Sequence, residues 1–85
     1  MKIKELNDTV KTSFGHHFCS LIVETGIGLD TLEEDTGISI ERLSSLQKGE
    51  SIPTAPEAYL LADSMGLSIL VFCKPIIDSV EREKG

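Results

Sequence analysis

Residues 29–49 read LDTLEEDTGISIERLSSLQKG, and they carry the clearest signals of secondary structure in the chain. Its first part predicts a helix over residues 29–36, with Asp30 in the first turn complementing the positive helix end. Gly37 ends that helix, because glycine readily adopts the left-handed backbone that follows many helices. Ser39 is a natural N-cap for the next helix, residues 40–47. The stretch therefore predicts two short helices joined by a tight turn.

The second of these helices has one anchored face and one free face. Leu43 and Leu46 lie three residues apart and so share a side of the helix. Ile38, just beyond the turn glycine, is expected to fill the crevice between the two helices. The remaining positions mostly face elsewhere and are polar: Glu41, Arg42, Ser44 and Ser45.

Helical patterning extends on both sides of this pair. Upstream, apolar residues recur at helical spacing from Ile3 to Leu21, and Gly26 and Gly28 end that helix. The residues before Phe14 form either a separate short helix or an extension of this one. Downstream, Thr54 and Glu57 predict a capping box for a helix that ends at Gly66.

The segment 68–73 is compatible with two structures. Ser68 suits the cap of a final short helix, whereas the apolar, β-branched run that follows also suits a strand. A charged tail after Pro75 carries a weak apolar stripe. These apolar residues favour a homodimer interface, with packing against the first helix as the alternative. The interface would comprise Leu70, Val71, Phe72, Ile76 and Ile77.

The composition indicates one small domain. Eighty-five residues allow a single modest core, and the hydrophobic fraction of 40% is ordinary for a globular protein. No apolar run approaches the roughly 20 residues that span a bilayer, and the N-terminus lacks the features of a secretory signal. A cytoplasmic location is therefore expected. Cys19 and Cys73 are far apart in sequence, so we expect reduced thiols that are partly packed rather than a disulfide.

The net charge is −6 and the sequence pI is about 4.7. Residues 14–72 carry two basic and nine acidic side chains, a net charge of −7. This is the wrong sign for a protein whose affinity depends on neutralising phosphates. Composition alone thus argues against nucleic-acid binding.

The spaced positions resemble the lambda-repressor/Cro-like (Xre-type) helix-turn-helix family over about two thirds of the chain. Phe14-Gly15 opens a helix as in many members of that family. Further matches are Leu32, Gly37-Ile38-Ser39, Leu43, Leu46, Gly49, Pro53, Thr54, Leu61-Ala62 and Met65-Gly66-Leu67-Ser68. The resemblance implies an all-α fold of about five short helices, with the domain at residues 14–72. Residues 1–13 would be an N-terminal extension and residues 73–85 a C-terminal tail that contributes to dimerisation.

The same resemblance implies a DNA-binding surface. In the family, the free face of the second motif helix enters the major groove and reads base edges. By position, the base readers here are Ser39, Ile40, Glu41, Arg42 and Ser45. Lys48 and Ser51 are the corresponding phosphate contacts.

Four positions depart from the family pattern. Cys19 and Ile22 stand where the family often places arginine, and Leu29 stands where a phosphate-binding polar residue usually begins the first motif helix. Glu33 replaces the small residue that lets the two motif helices approach closely. Cys19, Ile22 and Leu29 are interpreted either as core residues or as an exposed apolar patch for a protein partner.

The other clusters of polar residues do not predict a metal site or a catalytic site. His16, His17 and Cys19 supply too few ligands on one face for a structural metal site, so we expect no metal. Glu33, Glu34 and Asp35 form either a solvated helix face or an acidic partner-binding patch. No nucleophile, base or phosphate loop accompanies these carboxylates, so neither an enzyme nor a cofactor is expected.

Two functions remain from the sequence. The first is a small transcriptional regulator that binds operator DNA as a homodimer. The second is a protein-interaction module, such as an anti-repressor, inhibitor or DNA mimic, that keeps the fold without the DNA-binding role.

Overall fold

The structure, a computed structural model, describes the backbone of residues 3–84 and the side chains of residues 8–80. Met1, Lys2 and Gly85 lie outside these residues, and with them the outermost ends of the predicted extension 1–13 and tail 73–85. Within residues 3–84 there are six helices and no strand. They are α1 (Ile3–Thr25), α2 (Leu29–Thr36), α3 (Ile40–Gln47), α4 (Ala55–Met65), α5 (Ile69–Phe72) and α6 (Lys74–Lys84). The predicted all-α helix-turn-helix fold is confirmed.

The residues before Phe14 extend the first helix rather than forming a separate one. α1 runs without a break from Ile3 to Thr25. It ends at Gly26, whose φ of 70° lies in the left-handed region and whose N–H donates to the Ile22 carbonyl at 2.9 Å. None of the helices within residues 3–84 has the length and apolar character needed to cross a membrane.

Helices α2 and α3 form the predicted pair with the predicted boundaries. Gly37 has a φ of 78°, which ends α2 and turns the chain towards α3. Ile38 is buried beyond the turn, and the Ser39 side chain accepts a hydrogen bond from the Arg42 N–H at 3.2 Å. The turn therefore follows directly from the glycine and serine that the sequence places there.

The acidic side chain of Glu33 is accommodated next to α3 by a hydrogen bond. Its side chain is half-buried, and its Oε2 accepts a hydrogen bond from the backbone N–H of Ile40 at 2.9 Å. That N–H belongs to the first turn of α3, where amide groups have no partner within the helix. The carboxylate thus complements the positive end of α3 instead of remaining unpaired in the core.

The core is built around three aromatic rings. Phe14 and Phe18 of α1 and Phe72 of α5 are fully buried, with ring centroids 5.5 to 5.9 Å apart. Both contacts to Phe72 are edge-on, a favourable arrangement for aromatic pairs. Aliphatic side chains from α1 to α4 complete the core: Leu21, Leu32, Ile38, Leu43, Leu46, Ala58, Leu61, Ala62 and Met65.

The ambiguous segment 68–73 is helical. Ser68 caps α5 by accepting a hydrogen bond from the Val71 N–H at 3.2 Å. Pro75 lies in the first turn of α6, where its missing N–H removes no helical hydrogen bond. The tail is therefore a sixth helix, which packs against α1 and α5.

Candidate nucleic-acid interface

Helix α3 is held from one side and open on the other. Leu43 and Leu46 are fully buried, whereas Ser39, Ile40 and Glu41 at the N-terminal end of α3 are exposed. Lys48, the C-cap residue of the same helix, is also exposed. Four of the seven residues predicted to contact DNA are therefore accessible on one short helix. The other three, Arg42, Ser45 and Ser51, are half-buried.

Arg42 is bound within the chain by a carboxylate of α4. Its Nε donates to Oε2 of Glu57 at 3.0 Å, and its Nη2 donates to Oε1 at 2.9 Å. This is the two-pronged geometry in which an arginine and a carboxylate interact most strongly. The side chains are 32% and 19% exposed, respectively. The predicted base reader is therefore neutralised locally by an acidic partner.

The exit loop after α3 supplies further acceptors. Nη1 of Arg42 donates to the hydroxyl of Ser51 at 2.8 Å, and Nη2 donates to the carbonyl of Ile52 at 3.1 Å. Ser45 donates to the Arg42 carbonyl at 2.8 Å and lies 3.3 Å from the Ser51 hydroxyl. Three predicted DNA-contact residues thus share one intramolecular network, which we call the Arg42 network: Arg42, Ser45, Ser51, Ile52 and Glu57.

Glu57 also closes the predicted capping box. Its Oε1 accepts from the Thr54 N–H at 2.8 Å, and its own N–H donates to the Thr54 hydroxyl at 3.3 Å. The hydrogen bond from Arg42 is the main cause that lowers the pKa of Glu57 from 4.5 to about 2, with burial opposing the change. The same hydrogen bond raises the pKa of Arg42. One carboxylate therefore caps α4 and holds α3.

The sequence identified Glu57 as a capping residue but not as the partner of Arg42. The two residues are 15 positions apart, on different helices. The sequence feature that could indicate this pair is a single arginine on a helix, followed by a loop and an acidic capping residue. That signal does not specify how the loop brings α4 back towards α3.

Two glycines let α1 cross close to the end of α3. A Cβ on Gly15 would lie 2.8 Å from the Gln47 carbonyl oxygen and 2.9 Å from the Gly49 nitrogen. Gly49 itself has a φ of 74°, and a Cβ there would lie 3.1 Å from the Lys11 carbonyl oxygen. Backbone thus approaches backbone at this crossing, which fixes the position of α3 relative to α1.

The three residues proposed as a partner patch are all half-buried. Ile22 and Leu29 pack against the hydrophobic core. The Cys19 thiol lies 3.9 Å from the Gln47 carbonyl oxygen, at the end of α3. Cys19 and Cys73 are both free cysteines, and burial raises the pKa of the Cys73 thiol. The side chains of this set therefore take part in packing α1 and α2.

The residues predicted for a dimer interface separate into two groups. Leu70 and Val71 are 67% and 45% exposed, whereas Phe72 is fully buried in the aromatic core. Phe72 therefore belongs to the monomer's core and cannot contact a second copy directly. Ile76 and Ile77 are half-buried, and Ile76 packs against the core.

The remaining polar residues of interest make contacts within the fold. His17 has its Nε2 2.7 Å from the Val71 carbonyl oxygen, which joins α1 to α5. Asp35 accepts a hydrogen bond from the Ser64 hydroxyl at 3.2 Å, which joins α2 to α4. Among the side chains of residues 8–80, no three histidine, cysteine or acidic groups come close enough together to hold a metal ion.

Comparison with known proteins agrees with this architecture. A protein of Sinorhizobium fredii, described as an uncharacterized HTH-type transcriptional regulator, is 34% identical over 61 residues. The match covers 72% of this chain and 79% of that protein. No protein-family model and no solved structure matches the chain. With the helix-turn-helix fold and this degree of identity over most of both chains, the protein belongs to the family of HTH-type transcriptional regulators.

Proposed function

We propose that this regulator is of the lambda-repressor/Cro-like (Xre) type and binds double-stranded operator DNA as a homodimer. Helix α3 enters the major groove, which is wide enough to admit an α-helix. Each protomer reads one half-site, and the two half-sites are one helical turn of DNA apart.

The exposed N-terminal end of α3 carries this proposal. Leu43 and Leu46 anchor the helix from beneath, while Ser39, Ile40 and Glu41 project from the surface. In helix-turn-helix proteins, the residues near the start of the second motif helix are those that contact base edges. The similarity to the Sinorhizobium fredii protein, which is described as a transcriptional regulator, supports the same role.

Charge favours a dimer over a monomer. Arg42 and Lys48 are the two cations within residues 14–72, and Arg42 is already paired with Glu57. Each neutralised phosphate contributes to affinity, so one protomer with one unpaired cation in this segment binds weakly. A homodimer doubles the cations and the base contacts. Leu70 and Val71, exposed on α5, are the apolar residues that we assign to its interface.

A selection from random duplexes tests the proposal. The folded protein is incubated at about 50 mM salt with double-stranded DNA that carries a randomised core, and bound DNA is recovered over several rounds. We expect enrichment of a twofold-symmetric sequence with half-sites about 10 base pairs apart. Failure to enrich any sequence, with a folded dimer confirmed by sedimentation, contradicts the proposal.

A second function has one specific observation in its favour. Ile40 and Ile52 are each 38% exposed, and Glu41 is exposed beside Ile40. An apolar and acidic surface with a neutralised arginine also suits a protein partner, as expected for an anti-repressor, inhibitor or DNA mimic. In this case Cys19, Ile22 and Leu29, which are partly exposed, would form a further patch that contacts the partner.

The two functions differ in what the protein retains in its native host. Affinity purification at low salt, with and without nuclease, separates them. A regulator that binds DNA recovers a defined genomic fragment, and nuclease removes it. An interaction module recovers a stoichiometric protein that survives nuclease treatment.

A further inference from the structure

The guanidinium of Arg42 is nearly saturated with hydrogen bonds. An arginine side chain has five N–H donors. Glu57 takes the Nε donor and one from Nη2, Ile52 takes the other from Nη2, and Ser51 takes one from Nη1. Four donors are therefore committed within the chain, and a single Nη1 donor is left for any ligand.

A single donor does not read guanine as arginine usually does. The common specific contact places two N–H groups of one arginine on O6 and N7 of the same base. To supply two, Arg42 would have to give up at least one of its present acceptors, which are Ser51, Ile52 and the Glu57 carboxylate held in two-pronged geometry at 2.9 and 3.0 Å. Charge-assisted pairs of this kind are among the strongest hydrogen bonds in proteins. The Arg42 network thus withholds this arginine from base recognition.

The exposed residues at the start of α3 have a different chemistry. Ile40 presents an apolar side chain that is 38% exposed. Glu41 is exposed, and an ionised carboxylate can only accept hydrogen bonds. In the major groove, apolar side chains contact the thymine methyl group, and carboxylates accept from the cytosine N4 amino group. Guanine presents two acceptors there, O6 and N7, which repel a carboxylate.

We propose that Ile40 and Glu41 read the half-site as adjacent thymine and cytosine on one strand. Arg42 is a positioning residue in this arrangement, and its acceptors in the Arg42 network together keep it from contacting guanine. This inference rests on the proposed DNA binding and specifies the bases that the protein selects.

The Arg42 network supports the reading pair by fixing the start of α3. Arg42 joins the first turn of α3 to the exit loop at Ser51 and Ile52 and to the first turn of α4 at Glu57. The N-terminal end of α3 is also fixed from the other side, where Glu33 accepts from the Ile40 N–H. Ile40 and Glu41 therefore extend from a backbone that is held by two carboxylates.

The test is a comparison of selected sequences between the wild type and three variants. Glu41→Gln changes an acceptor into a group that reads adenine through N6 and N7, so the cytosine preference should become an adenine preference. Ile40→Ser should lower the selectivity for thymine over other bases at that position by about tenfold or more, the range expected for one lost base contact. Glu57→Gln keeps an acceptor at the capping position but removes the charged partner of Arg42, so a preference for guanine should appear at a further base pair, outside the thymine-cytosine step.

Each outcome bears on the inference. Enrichment of a thymine-cytosine step that changes with Glu41→Gln and Ile40→Ser supports it. A wild-type site that requires a further G·C pair outside the thymine-cytosine step, and loses that requirement in Arg42→Lys, overturns it while leaving DNA binding intact. No enrichment with any duplex, by a folded protein, overturns both the inference and the proposed function. Circular dichroism confirms that each variant is helical before selection.

Discussion

Arg42 of α3 and Glu57 of α4 meet through two hydrogen bonds of 3.0 and 2.9 Å, although they are 15 residues apart in the chain. The same carboxylate accepts from the Thr54 N–H at 2.8 Å. It therefore stabilises the start of α4 and fixes α3 through a single side chain. Substitutions at Glu57 should therefore affect both helices at once, and their effect on the unfolding free energy measures how strongly this side chain stabilises the motif.

The Glu57 carboxylate should contribute to stability in two ways, through the cap of α4 and through its pairing with Arg42, and two substitutions separate these contributions. Glu57→Ala loses the pairing with Arg42 and the cap, and we expect unfolding free energy to fall by about 2–3 kcal/mol. Glu57→Gln retains a capping acceptor and should lose about 1 kcal/mol. Urea denaturation followed by circular dichroism measures both values. Glu34→Gln, at an exposed glutamate of α2, is the matched control and should change stability little. Equal losses in Glu57→Gln and Glu34→Gln would show that the pairing contributes nothing.

The low pKa of Glu57 predicts how this stabilisation depends on pH. The pKa is lowered from 4.5 to about 2 in the folded protein, chiefly by the hydrogen bond from Arg42. A group whose pKa is lowered by folding stabilises the folded state fully above its unfolded value. That contribution disappears as the pH falls from about 4.5 towards 2. The difference in unfolding free energy between wild type and Glu57→Gln should therefore shrink across this range. A difference that stays constant from pH 6 to pH 2.5 contradicts the prediction.

The helix pair and its caps could be predicted because their signals are local. Gly37, Ser39, and the Thr54–Glu57 capping box each act within four residues of their own position, and the structure has them as predicted. The Arg42–Glu57 pairing could not be predicted in the same way. It depends on the path of the loop between α3 and α4, which no residue spacing specifies.

Burial is harder to predict than secondary structure, because it also depends on contacts between residues that are distant in the sequence. Phe72 belongs to an apolar run for which the sequence favours a dimer interface, with packing against the first helix as the alternative, and the structure shows the alternative for this residue. Its place in the core depends on where α5 meets Phe14 and Phe18, a contact between distant parts of the chain. Glu33 stands where the family has a small residue, and the sequence does not show that its carboxylate caps the neighbouring helix.

Gly15→Ala should destabilise the protein, although alanine normally favours a helix over glycine by about 1 kcal/mol. The added Cβ would lie 2.8 Å from the Gln47 carbonyl oxygen and 2.9 Å from the Gly49 nitrogen. Both are backbone atoms, so α1 and the end of α3 must move apart. We expect a loss of about 1–3 kcal/mol in unfolding free energy, as for other overpacked contacts. Ser20→Ala, at an exposed position of α1, is the control and should be neutral or slightly stabilising. A stabilising Gly15→Ala would show that the helices do not cross this closely.

Leu70 and Phe72, which both lie on α5, should respond differently to substitution. Phe72→Ala removes a fully buried ring and should cost about 3–5 kcal/mol of unfolding free energy. Leu70→Glu alters a side chain that is 67% exposed, so the monomer's secondary structure should be retained. If α5 forms the proposed homodimer interface, Leu70→Glu should weaken dimerisation in sedimentation equilibrium by about tenfold or more. An unchanged dimer in Leu70→Glu contradicts this assignment, and a monomeric wild type contradicts the homodimer itself.

Lys48 should account for a measurable part of the salt dependence of DNA binding. It is exposed at the C-cap of α3, and no carboxylate among the side chains of residues 8–80 pairs with it as Glu57 pairs with Arg42. Each phosphate neutralised by a cation contributes about 0.9 to the slope of log affinity against log salt concentration. Lys48→Gln should therefore lower that slope by about 2 for a homodimer, with affinity reduced evenly across sequences. Fluorescence anisotropy at four or more salt concentrations measures the slope. Lys74→Gln, on α6 and 3.5 Å from Asp78, is the matched control and should leave the slope unchanged. An equal effect of both substitutions would indicate a general response to net charge rather than a phosphate contact at Lys48.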